Sequence, residues 1–335
     1  MNKNIKICTI GGGSGMPIVN KALIKAGFEN IYSIVTTFDS GGDTGRMRTD
    51  ERGRILAFSD YWRALISLWD EGSQKEVWED MLKYRDGRGR NFGNMFFQFL
   101  SEKEIDLGKV DDLFCKLTGA ELKGKVIPVS LESSNVCIKT ISKKVYRGEN
   151  FVDDMRMSDD KIEEIWLDPK VSANPEAIEI IKSVDVIILG PGTIYGSVLT
   201  NFLPKGMIKA FNESRAKKIF MVNIFSPANE TRTATQEEYI RIFEKHLNNK
   251  NPFDLVLMAD LSVLNKNNLK KIINFYKLEH ASLVLNIKSK KFRTIVADIA
   301  VIDEKNMRLR HGEEKLGKFF RALELENIKS PTLRM

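Results

Sequence analysis

Four glycines fall within five positions at Gly11-Gly12-Gly13-Ser14-Gly15, with Met16-Pro17 directly after them. Glycine loses chain entropy on ordering and packs nothing, so such a cluster is kept where backbone must come close to something else. The chemistry it favours is anion binding, with N–H groups and the positive end of a helix turned toward a phosphate. A second cluster, Gly190-Pro191-Gly192-Thr193-Ile194-Tyr195-Gly196-Ser197, offers N–H groups and hydroxyls in the same way. Taken alone, it reads equally well as a rigid turn. Between the two lies Asp39-Ser40-Gly41-Gly42-Asp43-Thr44-Gly45-Arg46-Met47-Arg48. Here Asp39 can accept from a ribose or help hold a divalent cation, and Arg46 and Arg48 can meet phosphate oxygens. Asp39 and Asp43 are the catalytic candidates, as carboxylates able to hold Mg²⁺ against a developing phosphate charge. The alternative for this segment is a polar surface turn with solvated arginines.

The flanking segments say how such groups would be positioned. Ile5–Ile10 reads as a buried strand, and Ile18, Val19, Ala22 and Leu23 fall on one helical face, with Pro17 tolerated in the first turn. Ile31–Phe38, Asp185–Leu189 and Lys218–Ile224 read as further strands, the last ending near Asn223, and Val198–Leu203 begins a helix. In an open parallel sheet the loops at neighbouring carboxyl ends share one crevice, so the two glycine loops are expected to face each other. Two common ligand classes are disfavoured. G-x-G-x-x-G fails in both frames, at Met16 or Ile18, and Met16-Pro17 stands where a P-loop needs Gly-Lys.

Other segments read as structure. Ser59 is a plausible cap for a helix burying Trp62, Leu65, Ile66 and Trp69. Tyr84–Asn91 reads as a mobile basic lid or rim, and Asn94, on spacing alone, as a helix cap. Thr235 to Glu238 forms a capping box. Glu313–Leu325 is amphipathic, and the charged stretch from about 143 to 172 looks peripheral to the main sheet. His246, His280 and His311 have no spaced partners and read as surface or structural. The chain is modestly basic at a formal +7, with lysines spread throughout, which fits a solvated surface and leaves room for a basic cleft that would take an anionic ligand. Cys8, Cys115 and Cys137 sit in apolar surroundings and read as thiols of a reducing compartment. With no signal-like start and no run of membrane-spanning length, the expectation is a cytoplasmic protein.

Together these pieces resemble the superfamily uniting the bacterial gluconeogenesis factor (YvcK-like) proteins with 2-phospho-L-lactate transferase (CofD). The resemblance is carried by the loops at Gly11–Gly15, Val35–Arg46 and Leu189–Ser197, by Phe92-Gly93-Asn94 and Pro175–Ile178, and by Asn223 with Glu230-Thr231. It implies an α/β, Rossmann-like, doubly wound fold with a mostly parallel sheet. One domain would span 1–335, its core about 1–142 and 173–300, with the excursion at about 143–172. The nearer branch looks like the gluconeogenesis factors, which implies UDP-sugar binding and a part in cell-wall and cell-shape homeostasis during gluconeogenic growth. The alternative branch implies moving a phospholactyl-type group from a nucleotide diphosphate to an acceptor with divalent metal.

Carried onto this sequence, the ligand-binding set implied is Gly11, Gly12, Gly13, Ser14, Gly15, Met16, Asp39, Ser40, Gly41, Gly42, Arg46, Asn94, Gly190, Pro191, Gly192, Thr193, Ser197 and Asn223. The partner expected is a nucleotide diphosphate or UDP-sugar, with Mg²⁺ as a further candidate at Asp39. A homodimer is admitted, whereas an NAD-dependent dehydrogenase and a nucleic-acid binder acting through Arg85, Arg88 and Arg90 are disfavoured. Two departures stand out. The branch usually carries consecutive aspartates where this chain has Asp39-Ser40, and a proline–glycine–glutamate–threonine loop where it has Ala228-Asn229-Glu230-Thr231.

Overall fold

The computed structural model describes residues 4–50, 56–70, 72–103, 109–155, 157–231, 233–287 and 291–323. The last residues of the expected C-terminal helix lie outside them, as does the Arg48 side chain. Counting only the strands of the central sheet, β1 is Lys6–Gly11, β2 Asn30–Val35, β3 Gly124–Pro128 and β4 Val186–Leu189. β5 is Lys217–Met221, β6 Leu255–Ala259 and β7 Arg293–Ala297. All are parallel, in the order β7-β6-β5-β4-β1-β2-β3. The order reverses between β4 and β1, which is where doubly wound sheets open a crevice at their carboxyl ends. The sheet is thus α/β and doubly wound, as the sequence implies.

The strands read as apolar runs because both faces of the sheet are covered. One face packs Ile10, Ile34, Leu189 and Phe220 against helices Pro175–Ser183 and Gln236–Leu247. The other packs Ile7, Ile31, Val186 and Leu255 against α1 (Gly15–Lys25), α3 (Ser59–Leu68) and the C-terminal helix Glu313–Ala322. Within that second layer Thr9, Asn20, Ser33 and Ser67 form a hydrogen-bond network at 2.8–3.1 Å in which these buried side chains satisfy one another. Between β2 and β3 the described residues form α2 (Gly42–Asp50), α3 and three further helices. The stretch from about 143 to 172 supplies Val145–Arg147, Ile162–Asp168 and a short helix Asn150–Asp154, and its two strands flank Asn135–Thr140 in an antiparallel sheet, so this unit begins before residue 143. A hairpin of Ala300–Asp303 and Arg308–His311 precedes the last helix. Among the described residues no helix is long and apolar enough to cross a membrane.

Three local expectations are corrected. Ser59 does not cap α3, since its Oγ donates instead to Asp39 Oδ2 at 2.5 Å. The helix expected to be capped by Asn94 begins at Phe92, and Asn91 Oδ1 accepts the Asn94 N–H at 3.0 Å, so the cap lies three residues earlier. The helix after the second glycine loop starts as a π-turn, Ile194–Val198, before a 3₁₀ turn at Leu199–Phe202.

Candidate functional site

The two glycine loops leave the sheet side by side, and the Gly190 N–H donates to Ile10 O at 3.1 Å. Gly15, the first residue of α1, lies so close to the second loop that a Cβ would meet the Pro191 carbonyl oxygen. On the other side of the first loop, Gly12 leaves room for the Asp60 carboxylate. Gly13, at φ +63°, donates its N–H to Asp60 Oδ1 at 2.9 Å. The second loop is held by neutral groups and one acid. Asn223 grips Gly192 at both ends, accepting its N–H at 2.8 Å and donating to its carbonyl at 2.6 Å. Glu230 Oε1 accepts the Ile194 N–H at 3.1 Å. The Thr193 and Ser197 hydroxyls lie 3.1 Å apart at a π-turn, a geometry frequent at functional sites.

Ser14, Gly15, Gly192 and Thr193 border two hollows at once. The first, of about 280 Å³, is acidic: Asp39, Asp60, Glu149 and Asp153 line it, with Arg63 as the facing cation. Burial lifts Asp60 to about 6, with Asp39 adding to the effect, while Arg63 and the Gly13 N–H oppose it. Burial likewise holds Glu149 well above the usual carboxylate range, reinforced by the charges of Asp39, Asp153 and Asp60. The second hollow, of about 350 Å³, runs past Asn223 to Phe225, Tyr276, Arg308, Arg310 and His311. Phe225 and Tyr276 stack at 3.7 Å, and Arg308 is fixed by two bonds to Glu279 at 2.7 and 2.9 Å. His311 is buried, its Nε2 without a hydrogen-bond partner, and burial pushes its ring down to about 4, so it is neutral near pH 7.

The residues expected at a ligand divide into three groups. Gly13, Ser14, Gly15, Asp39, Gly41, Pro191, Gly192, Thr193, Ser197 and Asn223 line one hollow or the other. Gly11, Gly12, Gly190 and Met16 form the tight seam beneath, with the buried Met16 side chain packed under Gly11 and Gly190. The rest are bonded within the protein. Asp43 is buried and accepts from the Asn91 N–H at 2.9 Å and Asn94 Nδ2 at 3.1 Å, away from both hollows. Asn94 also accepts from Trp62 Nε1 at 3.0 Å. Ser40 bonds Asn150 at 3.0 and 3.1 Å, and Gly42 opens α2. Arg46 donates to the Arg88 and Gly89 carbonyls at 2.9 and 3.0 Å. That contact, with Asp86 accepting the Arg88 and Arg90 N–H groups, makes Tyr84–Asn91 an organised rim.

Sequence reasoning missed Asp60, Glu149 and Asp153 in the acidic hollow and Tyr276, Arg310 and His311 in the other. Asp60 followed a serine that reads as a cap, and Glu149 and Asp153 lay in a stretch that reads as peripheral. His311 carried one usable signal: a histidine at the end of a β-hairpin strand that points into the protein.

With that geometry established, comparison with known proteins is decisive. The family model described as 2-phospho-L-lactate transferase CofD matches residues 7–301. The chain belongs to this family. A protein of Aquifex aeolicus provisionally named a gluconeogenesis factor is 34% identical over 271 residues, covering 78% of each chain. The gluconeogenesis factor of Listeria innocua is 27% identical, covering 72% of this chain and 74% of its own. A crystal structure from Bacillus halodurans, of a member of the UPF0052 family, superposes with a TM-score of 0.81 at 24% identity, covering 94% of this chain and 98% of that one. That likeness shows a shared fold over nearly the whole chain.

Proposed function

We propose that this chain binds a nucleoside diphosphate sugar of the UDP-sugar class across the switch point of its sheet. The observation that carries the reading is that Ser14 and Thr193, from loops 179 positions apart, border the same two hollows. A diphosphate lies against the N–H groups and hydroxyls of the two loops, where the α1 dipole favours it. The nucleoside takes the recess beside Tyr276, Arg310 and His311, and the sugar end points to the acidic hollow. A role in gluconeogenic growth, and in cell-wall and cell-shape homeostasis, follows from the names of the relatives and from the family resemblance.

The donor set of the acidic hollow fits a hard divalent cation, since all its anionic groups are carboxylates. Among the described residues no three such groups converge as a ready-made cage. That suits Mg²⁺, which is usually bound through one or two carboxylates together with substrate phosphates. Asp39 and Asp60 are the residues to hold it, and a cation there would offset the repulsion between the ionised carboxylates of the hollow and a diphosphate. This hollow is also what favours the second reading, a CofD-like transfer of a phospholactyl-type group from a nucleotide diphosphate, in which the metal would stabilise developing phosphate charge.

Thermal melts with UDP-sugars, GDP, NAD and ATP, each with and without Mg²⁺, test both readings. A UDP-sugar at a hundredfold excess over its dissociation constant is expected to add about 2.7 kcal/mol of stability. Stabilisation by NAD alone would sink the proposal. Metal-dependent phosphodiester formation from a stabilising nucleotide would move the assignment to the transferase reading.

A further inference from the structure

Ser14 also borders a third hollow, of about 350 Å³, whose other lining residues are distinct from those of the nucleotide recess. Its floor is apolar, made by Trp62 and Ile66 of α3, with Pro17 of α1 as a side wall. The Trp62 ring is fixed, its Nε1 bonded to Asn94 and the Arg63 guanidinium 5.4 Å from its centre. Around this floor stand Lys21, Lys83 and Arg85 against a single lining carboxylate, Glu79, with Arg63 shared with the acidic hollow, where it pairs with Asp60 at 3.5 Å. Lys83 and Lys21 share that carboxylate at 2.7 and 3.6 Å. Burial raises Glu79, but the Lys83 hydrogen bond and the charges of Lys21 and Lys83 outweigh it, so it stays ionised and the rim keeps its positive excess. Arg85 is held by the Gly89 carbonyl at 2.9 Å on the organised rim, so its charge is placed in advance.

We infer that this hollow is a second ligand site, for an anion with a planar apolar body: one or two fused rings bearing a carboxylate or phosphate. The volume lies in the range of small-molecule sites, and an apolar floor with a few convergent polar groups is their usual construction. The sign of the charge separates it from its neighbour. Across Ser14 the acidic hollow repels a bare anion, whereas this one attracts it. The inference goes beyond the nucleotide reading and does not depend on it.

Calorimetric titration of the full chain with 1-naphthyl phosphate, with and without saturating UDP, tests it. The expected result is one site per chain that persists with UDP bound. The double variant Lys83→Glu/Arg85→Glu weakens it at least tenfold, Asn223→Ala changes it less than twofold, and uncharged 1-naphthol binds at least tenfold more weakly. Should the double variant melt early, Arg85→Ala, at an exposed position, carries the same test with about a threefold loss. Displacement of the probe by UDP, or affinity indifferent to both Arg85 variants, overturns the inference. Failure of UDP to bind at all, with the probe still sensitive to Arg85, would count against the nucleotide reading and leave this site standing.

Discussion

The two glycine loops do the same geometric task with different chemistry. The loop after β1 is braced by a buried acid, with the Gly13 N–H spent on Asp60. The loop after β4 is braced by an amide that both accepts from and donates to Gly192. An amide does not titrate, whereas Asp60, raised to about 6, does so close to neutrality. At Gly192 the second loop is therefore held by a bond that no proton alters, whereas at Gly13 the first is conditional on protons, cations and ligand. An anion arriving at the first loop competes with a carboxylate for the Gly13 N–H; at Gly192 of the second loop it meets only a neutral amide, the one acid, Glu230, being spent further along on the Ile194 N–H.

The seam between the loops is where the largest effect is expected. Gly15→Ala would drive a Cβ into the Pro191 carbonyl, a backbone atom that cannot swing aside. Overpacking of this kind costs about 3 kcal/mol. It also parts the loops, so denaturant melts should show the loss and UDP-sugar binding should disappear. Unaltered binding in Gly15→Ala would mean that the loops do not act together.

Asp60→Asn separates the loops by pH. The acid's folded pKa is raised above its ordinary value of 3.8 to about 6. Its protonated form is thus favoured in the fold, and that stability is fully present below about pH 4 and lost as pH rises through about 6. The shift corresponds to about 3 kcal/mol. Asp111, raised in the same direction, cancels in the difference between wild type and Asp60→Asn, whereas Glu149, which feels the Asp60 charge, contributes to it together with Asp60. That difference should move in favour of the variant by up to about 3 kcal/mol between pH 4 and pH 8. Parallel curves would show that Asp60 is not the conditional brace. Asn223→Ala, by contrast, strips two hydrogen bonds from Gly192 and should cost about 2 kcal/mol at every pH, with a loss of nucleotide affinity.

How much of this was legible in the sequence follows the same division. The loops, the strands beneath them and their meeting at one crevice could be read because glycine clusters and apolar runs are local signals. The braces could not. Asp60 acts 47 positions from Gly13, and Asn223 acts 31 from Gly192, so each depends on which strands become neighbours. Asp43 shows the reverse failure. A carboxylate in a glycine-rich loop carries no mark of whether it faces ligand or, as here, Asn91 and Asn94. The walls beyond about residue 260, with Tyr276 and His311, were invisible for the same reason: no short-range pattern announces which hairpin will close a cleft.

The smallest expected effect sets the background against which the braces are judged. Thr235 caps helix Gln236–Leu247, its side chain accepting from the Glu238 N–H, while Glu238 Oε2 accepts from Thr233. It borders neither loop, so Thr235→Ala should cost about 1 kcal/mol and leave nucleotide affinity alone. Melts and binding curves on this variant give the response of a protein weakened at a distance. If Asn223→Ala lost affinity only in the proportion that Thr235→Ala does, its grip on Gly192 would be a matter of folding and not of binding. A loss of affinity peculiar to Asn223→Ala would instead mean that the neutral brace holds Gly192 in the position the ligand requires, since the two variants then differ in the loop and not in the fold.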